Sequence, residues 1–163
     1  LGDCLATTVM YKRKFSKEKF KVFHPGGNIG GSLLLAKDIM VTGKKLPLID
    51  FKKNLNNALK VMSQKKLGVV VVLKNHFISG LVTDGDLRRE MKFFSKKNSL
   101  QKFMTKKPQM VNENMPASKA LAIMNEKKIT SLLVVSDVDF KRKKRAKLKG
   151  IIHIHLLLQH GLK

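Results

Sequence analysis

Thr83 and Asp86 are the residues whose types and spacing most directly suggest binding chemistry. They follow an apolar stretch that ends at Val82, and a helical segment is predicted to begin near Leu87. A hydroxyl and a carboxylate three residues apart can bind the hydroxyls of a sugar or ribose, and unpaired N–H groups at a helix start favour anions. The structural alternative is that Asp86 caps the helix and Thr83 only ends the strand. The local sequence leaves both interpretations open.

Two arginines, Arg88 and Arg89, lie in the turn that follows this pair. A guanidinium group can bind a phosphate or a carboxylate through two parallel hydrogen bonds. Either arginine is therefore a candidate contact for the anionic part of a ligand.

The net charge raises the question of nucleic acid as a partner. The chain has 163 residues, enough for one ordinary domain or two very small ones, and its formal net charge is +23. Only 5 of its 34 basic residues are arginine, and it has one Tyr and no Trp. Specific readers of nucleic acids depend on the arginine fork and on aromatic stacking. We therefore predict no specific nucleic-acid binding, although non-specific attraction to polyanions at low salt follows from the charge.

The cysteine content and the hydropathy pattern indicate the compartment. Cys4 is the only cysteine, which excludes an intramolecular disulfide and is typical of a reducing cytoplasm. No apolar run approaches the length of a membrane span, so no membrane association is expected. The chain begins at Leu1 rather than Met, which suggests a piece of a longer polypeptide, although a trimmed start would look the same.

From residue 37 onward the sequence repeats itself, and this is the strongest signal of its architecture. Apolar residues at helical spacing recur after 62 residues: Leu55, Ala58, Leu59 and Met62 in one copy, and Ala117, Ala120, Leu121 and Met124 in the other. A strand over 69–73 corresponds to one over 131–135, and Gly80-Leu-Val-Thr83 corresponds to Gly150-Ile-Ile-His153. Each copy is predicted as strand, helix, strand, strand, helix, and two such small units should pack against each other.

The remaining segments are predicted to be less regular. Leu1, Leu5 and Val9 recur every four residues and predict a helix over 1–13. Residues 16–20 favour a second short helix, and residues 24–31 form a glycine-rich loop. The second copy is longer than the first by a segment over 139–149, whose basic run we interpret as a solvated hairpin tip.

The repeat resembles a tandem pair of CBS domains. Gly80, Thr83 and Asp86 are similar to the ribose-binding motif of that family, Gly-apolar-apolar-Thr-x-x-Asp. The resemblance implies that the first copy binds a nucleotide or a nucleotide sugar. In the second copy His153 stands at the hydroxyl position and Leu156 at the carboxylate position, so we expect one adenosine-type site at most, or a ligand of another kind. His153 is expected to line the cleft.

Residues 1–36 resemble the C-terminal end of the sugar-isomerase (SIS) domain of the arabinose-5-phosphate isomerase family. The likeness rests on Leu1-Gly-Asp-Cys-Leu-Ala6 and His24-Pro-Gly-Gly27, and it continues through Thr83-Asp-Gly-Asp-Leu-Arg-Arg89. In that family a CBS pair directly follows the SIS domain. The resemblance therefore implies an α/β (α+β) chain in which a SIS tail precedes two CBS domains. The expected boundaries are 1–36, 37–95 and 96–163.

The activity implied by this resemblance is the interconversion of D-ribulose 5-phosphate and D-arabinose 5-phosphate, a precursor of the Kdo sugar of lipopolysaccharide. Moving a proton between C1 and C2 needs a base whose pKa is near the working pH, and His24 matches the family's catalytic histidine. On the residues alone, a surface histidine that stiffens the turn before Pro25 is the simpler interpretation. The other catalytic groups would lie upstream of Leu1, so we expect this piece alone to be inactive.

The resemblance also implies the partners. These are a sugar phosphate substrate for the full-length protein, a nucleotide or CMP-Kdo-like effector for the CBS pair, and further copies of the chain in a homo-oligomer. We expect no cofactor and no metal site, because His153 and His155 alternate on a predicted strand and would face opposite sides.

Two other functions remain open. The chain is alternatively a CBS pair that senses adenine nucleotides for a different protein, and a parallel α/β domain with a Ser-rich phosphate loop upstream would argue against that. A basic nucleic-acid binder is the third possibility, and binding that persists at about 150 mM salt would favour it.

Overall fold

A computed structural model describes residues 1–15, 34–89, 99–142 and 145–162. The strands are β1 (Leu48–Asp50), β2 (Val69–Lys74), β3 (Phe77–Thr83), β4 (Met110–Asn112), β5 (Ser131–Val135) and β6 (Gly150–His153). The α-helices are α1 (Gly2–Lys12), α2 (Ala36–Ile39), α3 (Leu55–Lys65), α4 (Asp84–Arg89), α5 (Ala117–Lys127), α6 (Asp137–Arg142) and α7 (Ile154–Gln159). Two 3₁₀ turns span Gly43–Lys45 and Leu100–Lys102.

The strands form two sheets of the same topology. β1 pairs in parallel with β2 and β2 antiparallel with β3, and β4, β5 and β6 repeat this arrangement. The parallel pairs require a crossover, which α3 and α5 supply. Val69 lies opposite Thr83 in the first sheet, as Ser131 lies opposite His153 in the second. The predicted repeat of strand, helix, strand, strand and helix is confirmed, and so is its alignment of Thr83 with His153.

The crossover helices form where the sequence predicts them. Asn54 caps α3, accepting a hydrogen bond from the Asn57 N–H at 3.1 Å and donating its own N–H to the Asn57 side chain. The predicted apolar stripes face the two cores: Leu55, Ala58 and Met62 in α3, and Ala117, Ala120, Leu121 and Met124 in α5. Each helix ends at a lysine in the left-handed region, Lys66 with φ 55° and Lys128 with φ 52°.

The segment that precedes each sheet in sequence packs in the core of the other half, and we call these two the exchanged segments. Leu34, Ala36 and Ile39 belong to the core formed around α5 and the second sheet, whereas Leu100 belongs to the core formed around α3 and the first sheet. Backbone hydrogen bonds fix this exchange, since the Ala117 N–H donates to the Leu34 carbonyl at 2.8 Å. Each half therefore depends on residues that lie outside its own sheet in sequence.

Glycine is required where these exchanged segments cross the sheets. A Cβ atom on Gly80 would lie 2.7 Å from the Met104 sulfur and 3.0 Å from the Thr105 carbonyl oxygen. Gly150 has the matching position against Met40 and would clash more severely. The two glycines thus allow the close approach of one half to the other.

A third apolar cluster joins the halves directly. It contains Val69, Val71 and Leu81 from the first sheet with Leu133 and Ile151 from the second. All five residues are buried, and partly buried apolar side chains surround them. The expected apolar interface between the two copies is therefore confirmed.

The connection between β5 and β6 differs from the predicted hairpin tip. It contains the helix α6, because Ser136 accepts a hydrogen bond from the Asp139 N–H at 3.1 Å and two acidic residues occupy the first turn. The chain then returns to the core at Ala146, which is buried. Ser136, as a helix cap, was the sequence signal for this helix, whereas the hairpin prediction was based on the basic run that follows.

The predicted helix at the start of the chain is confirmed as α1. It has no buried residue, and Leu5 is 70% exposed. The helix expected over 16–20 and the loop expected over 24–31, with His24, lie outside the described residues.

Candidate functional site

A cavity of about 450 Å³ opens between the two halves at the end of β3. Its volume is within the range of small-molecule sites. The first half contributes Leu81, Thr83, Asp84, Gly85, Asp86 and Arg89. The second half contributes Thr105, Lys107, Pro108, Gln109, Lys127, Lys128, Ile129, Thr130 and Ser131.

Thr83 and Asp86 are bonded to each other on the wall of this cavity. The Thr83 hydroxyl donates to Asp86 Oδ2 at 2.8 Å and accepts from the Asp86 N–H at 3.1 Å, while the Thr83 N–H donates to the same Oδ2 at 2.9 Å. This reciprocal pattern is a capping box in which Thr83 caps α4. The predicted cap, with Asp86 preceding a helix at Leu87, is wrong, because the box starts the helix at Asp84. Thr83 and Asp86 therefore both cap α4 and line the cavity.

The two arginines take different positions. Arg89 lines the cavity, and its guanidinium forms an ion pair with Asp86 Oδ1. Arg88 is not among the lining residues; its Nη2 donates to Oδ2 of Asp84, which does line the cavity, at 2.8 Å. Both arginine side chains are more than two-thirds exposed, at 71% for Arg89 and 76% for Arg88. Of the two, only Arg89 is placed to reach a molecule in the cavity.

His153 lies at the matching position in the second half and is not among the residues that line this cavity. It caps α7, and its Nδ1 accepts the His155 N–H at 3.4 Å. Burial lowers the pKa of His153, the neighbouring His155 lowers it further, and Asp84 acts in the opposite direction. The expectation that His153 and His155 face opposite sides is wrong: the strand ends at His153, the helix begins at Ile154, and the ring centroids are 4.9 Å apart.

The wall contributed by the second half was not identified from the sequence. Lys107, Pro108 and Gln109 lie between the exchanged segment and β4, and Lys127 and Lys128 end α5. Their places around Thr83 depend on how the two halves dock. The recurrence of a lysine pair at the end of both helices was visible in the repeat, but the sequence could not place it opposite Asp86.

The cavity is rich in positive charge. Arg89, Lys107, Lys127 and Lys128 line it together with two carboxylates, those of Asp84 and Asp86. Among the residues that the structure describes, no group of three or more His, Cys, Asp or Glu side chains is arranged to hold a metal ion. Hydroxyls, amides, carboxylates and cations are the groups available to a ligand here.

The sequence model of the CBS domain matches residues 36–92 and 100–162. The chain belongs to the CBS domain family. Each matched segment contains one of the two sheets, so the predicted tandem CBS pair and its mixed α/β fold class are confirmed.

This CBS pair has relatives among bacterial proteins. It is 35% identical to an uncharacterized protein, RP505, of Rickettsia prowazekii (strain Madrid E) over 163 residues, which cover 99% of this chain and 49% of the relative. It is 38% identical to a probable arabinose 5-phosphate isomerase of Haemophilus influenzae over 141 residues, covering 84% of this chain and 41% of that protein. With arabinose 5-phosphate isomerase KdsD of Escherichia coli (strain K12) it shares 37% identity over 166 residues, covering 99% and 48%.

The chain spans about half the length of the curated relatives it matches. The predicted similarity to arabinose-5-phosphate isomerases is confirmed by two of the three relatives above.

Solved structures share the fold at lower identity. The CBS domain pair of protein MJ0100, in complex with 5′-methylthioadenosine and S-adenosyl-L-methionine, has a TM-score of 0.66 at 16% identity and covers 77% of this chain and 94% of its own. CBSX2 in complex with AMP has a TM-score of 0.63 at 21% identity, covering 78% and 95%. The CBS domain of a bacterial CNNM/CorC family Mg²⁺ transporter, in complex with ATP, has a TM-score of 0.65 at 16% identity, covering 86% and 92%.

In the part of the CBS pair that the structure describes, none of the helices combines the length and apolar character needed to cross a membrane.

Proposed function

We propose that this chain is the regulatory CBS pair of an arabinose-5-phosphate isomerase, joined to the end of its SIS domain. Relatives of that name match 84–100% of the chain at 32–38% identity, and they extend well beyond it. The whole protein would interconvert D-ribulose 5-phosphate and D-arabinose 5-phosphate for Kdo and lipopolysaccharide synthesis, in the cytoplasm and as a homo-oligomer.

The proposed domain boundaries are 1–36 for the SIS tail, and 37–95 and 96–163 for the two CBS domains. The exposed apolar side chains of α1, among them Leu5 and Tyr11, support a helix that packs in a domain other than the CBS pair. His24 would act there as an acid–base group on the sugar phosphate, with the remaining catalytic groups supplied by the rest of the SIS domain.

The proposed effector is a nucleotide or a nucleotide sugar bound in the cavity between the halves. The observation that carries this proposal is the Thr83–Asp86 pair on the cavity wall, with the Asp86 side chain only 14% exposed. A sheltered carboxylate beside a hydroxyl suits the hydroxyls of a ribose. Three structures of the same fold contain AMP, ATP, or the pair 5′-methylthioadenosine and S-adenosyl-L-methionine, which supports a nucleoside-type ligand.

Two assays test this function. The first measures conversion of ribulose 5-phosphate by the longer polypeptide of which this chain is a piece, in the wild type and in His24→Ala. Loss of an acid–base group should lower kcat by about two to four orders of magnitude. His76→Asn, a change in the exposed β2–β3 turn, serves as the control and should leave kcat unchanged.

The second assay titrates the 163-residue chain calorimetrically with AMP, ATP, S-adenosyl-L-methionine and CMP-Kdo. Binding of AMP, ATP or CMP-Kdo supports an effector site, and the ligand that binds should then change the rate of the longer polypeptide. Nucleotide binding without isomerase activity in that polypeptide would favour the competing function, a CBS sensor module of a different protein.

A further inference from the structure

The carboxylate of Asp86 is nearly saturated by the protein's own groups. Thr83 donates two hydrogen bonds to Oδ2, at 2.8 and 2.9 Å, and Arg89 occupies Oδ1. An ionised carboxylate offers about four acceptor positions, so about one remains open. A sugar diol that binds through both hydroxyls needs two. Binding of such a diol to Asp86 therefore requires one of the three existing hydrogen bonds to break.

Arg89 is the one of the three donors that takes no part in the capping box. The two donors of Thr83 are fixed at the junction of β3 and α4, where they hold the start of the helix. The Arg89 side chain is 71% exposed, so its guanidinium can turn away from Asp86 and be solvated by water, whereas the Asp86 side chain is only 14% exposed. The guanidinium can leave without disturbing the capping box.

We propose that Arg89 is a counter-ion that the ligand exchanges, and that it sets which ligands the cavity accepts. In the free protein it neutralises Asp86. When the ligand's sugar hydroxyls take its place on Asp86, the released guanidinium binds a phosphate of the same ligand. This inference rests on the proposed nucleotide or nucleotide-sugar site and adds the class it selects: nucleosides carrying phosphate, over uncharged or sulfonium nucleosides.

The charges around the cavity give the reason for this selection. Lys107, Lys127 and Lys128 line the same cavity, and the Asp84 carboxylate is already paired with Arg88. A released Arg89 therefore adds to three cations, and a phosphate offsets part of this positive charge. An uncharged nucleoside would separate Arg89 from Asp86 and would offer the guanidinium no negative charge in exchange. A sulfonium nucleoside would bring a further positive charge into this surplus.

The test compares each nucleoside with its phosphorylated form on the 163-residue chain, by calorimetric titration. Adenosine is paired with AMP and ATP, and cytidine with CMP and then CMP-Kdo, so that the two sets also distinguish the base. In the pair that binds, the phosphorylated member should bind at least about tenfold more tightly, the lower limit for one charged hydrogen-bond partner. S-adenosyl-L-methionine should bind more weakly than AMP.

The variants assign this preference to Arg89. Arg89→Gln should weaken the phosphorylated ligand by about tenfold to a hundredfold, while the nucleoside keeps or gains affinity because Asp86 is released. Arg13→Gln is the control: this exposed arginine at the end of α1 is not among the residues that line the cavity, so the variant should stay within about twofold of the wild-type affinity. Arg89→Lys should recover part of the affinity, because it keeps the charge and loses the fork.

The outcomes separate this inference from the proposed function. Equal affinity for nucleoside and nucleotide, equal losses in Arg13→Gln and Arg89→Gln, or tight binding of S-adenosyl-L-methionine would overturn the role of Arg89 and leave a nucleoside site standing. Absence of binding by every nucleoside and nucleotide would overturn both. Thermal melts of each variant establish that it is folded, and Arg89→Lys decides the question if Arg89→Gln does not fold.

Discussion

Asp86 combines a structural contact and a proposed binding contact in one carboxylate. Its Oδ2 completes the capping box with Thr83, and its Oδ1 faces the cavity through Arg89. The two interpretations that the local sequence left open are therefore compatible. A capping carboxylate that is held in place by two hydrogen bonds is also pre-oriented for a ligand, which reduces the entropy lost on binding.

Substitution of Asp86 separates the two contacts. Asp86→Ala should lower the free energy of unfolding by about 1 kcal/mol through the lost box, and weaken a bound nucleotide about tenfold to a hundredfold. Asp86→Asn retains an acceptor for the Thr83 N–H, so it should unfold close to wild type while still binding less tightly. Denaturant unfolding and calorimetric titration measure the two effects. Wild-type affinity in Asp86→Ala would show that the pair only caps α4.

His153 makes the stability of the second half depend on pH. Burial, and then His155, hold its pKa in the folded protein below the ordinary histidine value of 6.5. The unfolded chain therefore binds more protons as the pH falls through about 6.5, and the free energy of unfolding should decrease with falling pH from there down to the folded pKa. Denaturant unfolding at about pH 7.5, about pH 6.5 and about pH 5.5 measures this slope.

His153→Asn should flatten that slope, because Asn caps a helix but does not titrate. His76→Asn, in the exposed turn between β2 and β3, is the control and should keep the wild-type slope. An unchanged slope in His153→Asn would assign the pH dependence to other groups.

At the scale of the elements, periodicity predicted the regular parts because the burial of α3 and α5 is set by their own spacing. Leu55, Ala58 and Met62 face the core as their i, i+3, i+7 pattern requires. Helix α2 was not predicted, since its four residues are too few to show a period and its burial depends on the other half. The start of α4 was misplaced for a related reason: a reciprocal cap is a contact between side chains, and several cap positions fit the same sequence.

The exchange of α2 gives an element-scale prediction. Ile39 is 5% exposed and packs in the core of the second half, although it precedes the first sheet in sequence. Ile39→Ala should lower the free energy of unfolding by about 2–5 kcal/mol through the lost burial and the cavity left behind.

Leu5→Ala in α1 is the control for Ile39→Ala. Leu5 is 70% exposed, so its truncation should change the stability of the chain by no more than about 0.5 kcal/mol. Both variants are compared by chemical denaturation followed by circular dichroism. Equal effects of the two substitutions would show that α2 does not belong to the second core.

On the scale of the whole molecule, the site is a product of docking. The side of the cavity that the first half contributes could be predicted because Thr83, Asp86 and Arg89 are close in sequence. The opposite wall consists of Thr105 to Gln109 and the residues around Lys128. These residues line the cavity only because one segment of each half packs in the other half and the two sheets share an apolar cluster. No local pattern encodes that arrangement, so the sequence predicted one side of the cavity and not its partner.

The same docking predicts that the two halves unfold together. Leu133 is fully buried in the cluster that both sheets share, and the exchanged segments make each core depend on the other half. Leu133→Ala should lower the free energy of unfolding by about 2–5 kcal/mol and shift one transition without splitting it. Scanning calorimetry should give a calorimetric enthalpy equal to the van't Hoff enthalpy, as for a two-state unit.

Val138→Ala, at a side chain that is 56% exposed, is the control and should stay within about 0.5 kcal/mol of wild type. Two separate transitions, in the wild type or in Leu133→Ala, would show that the halves fold independently and that the cavity between them is not held by a common core.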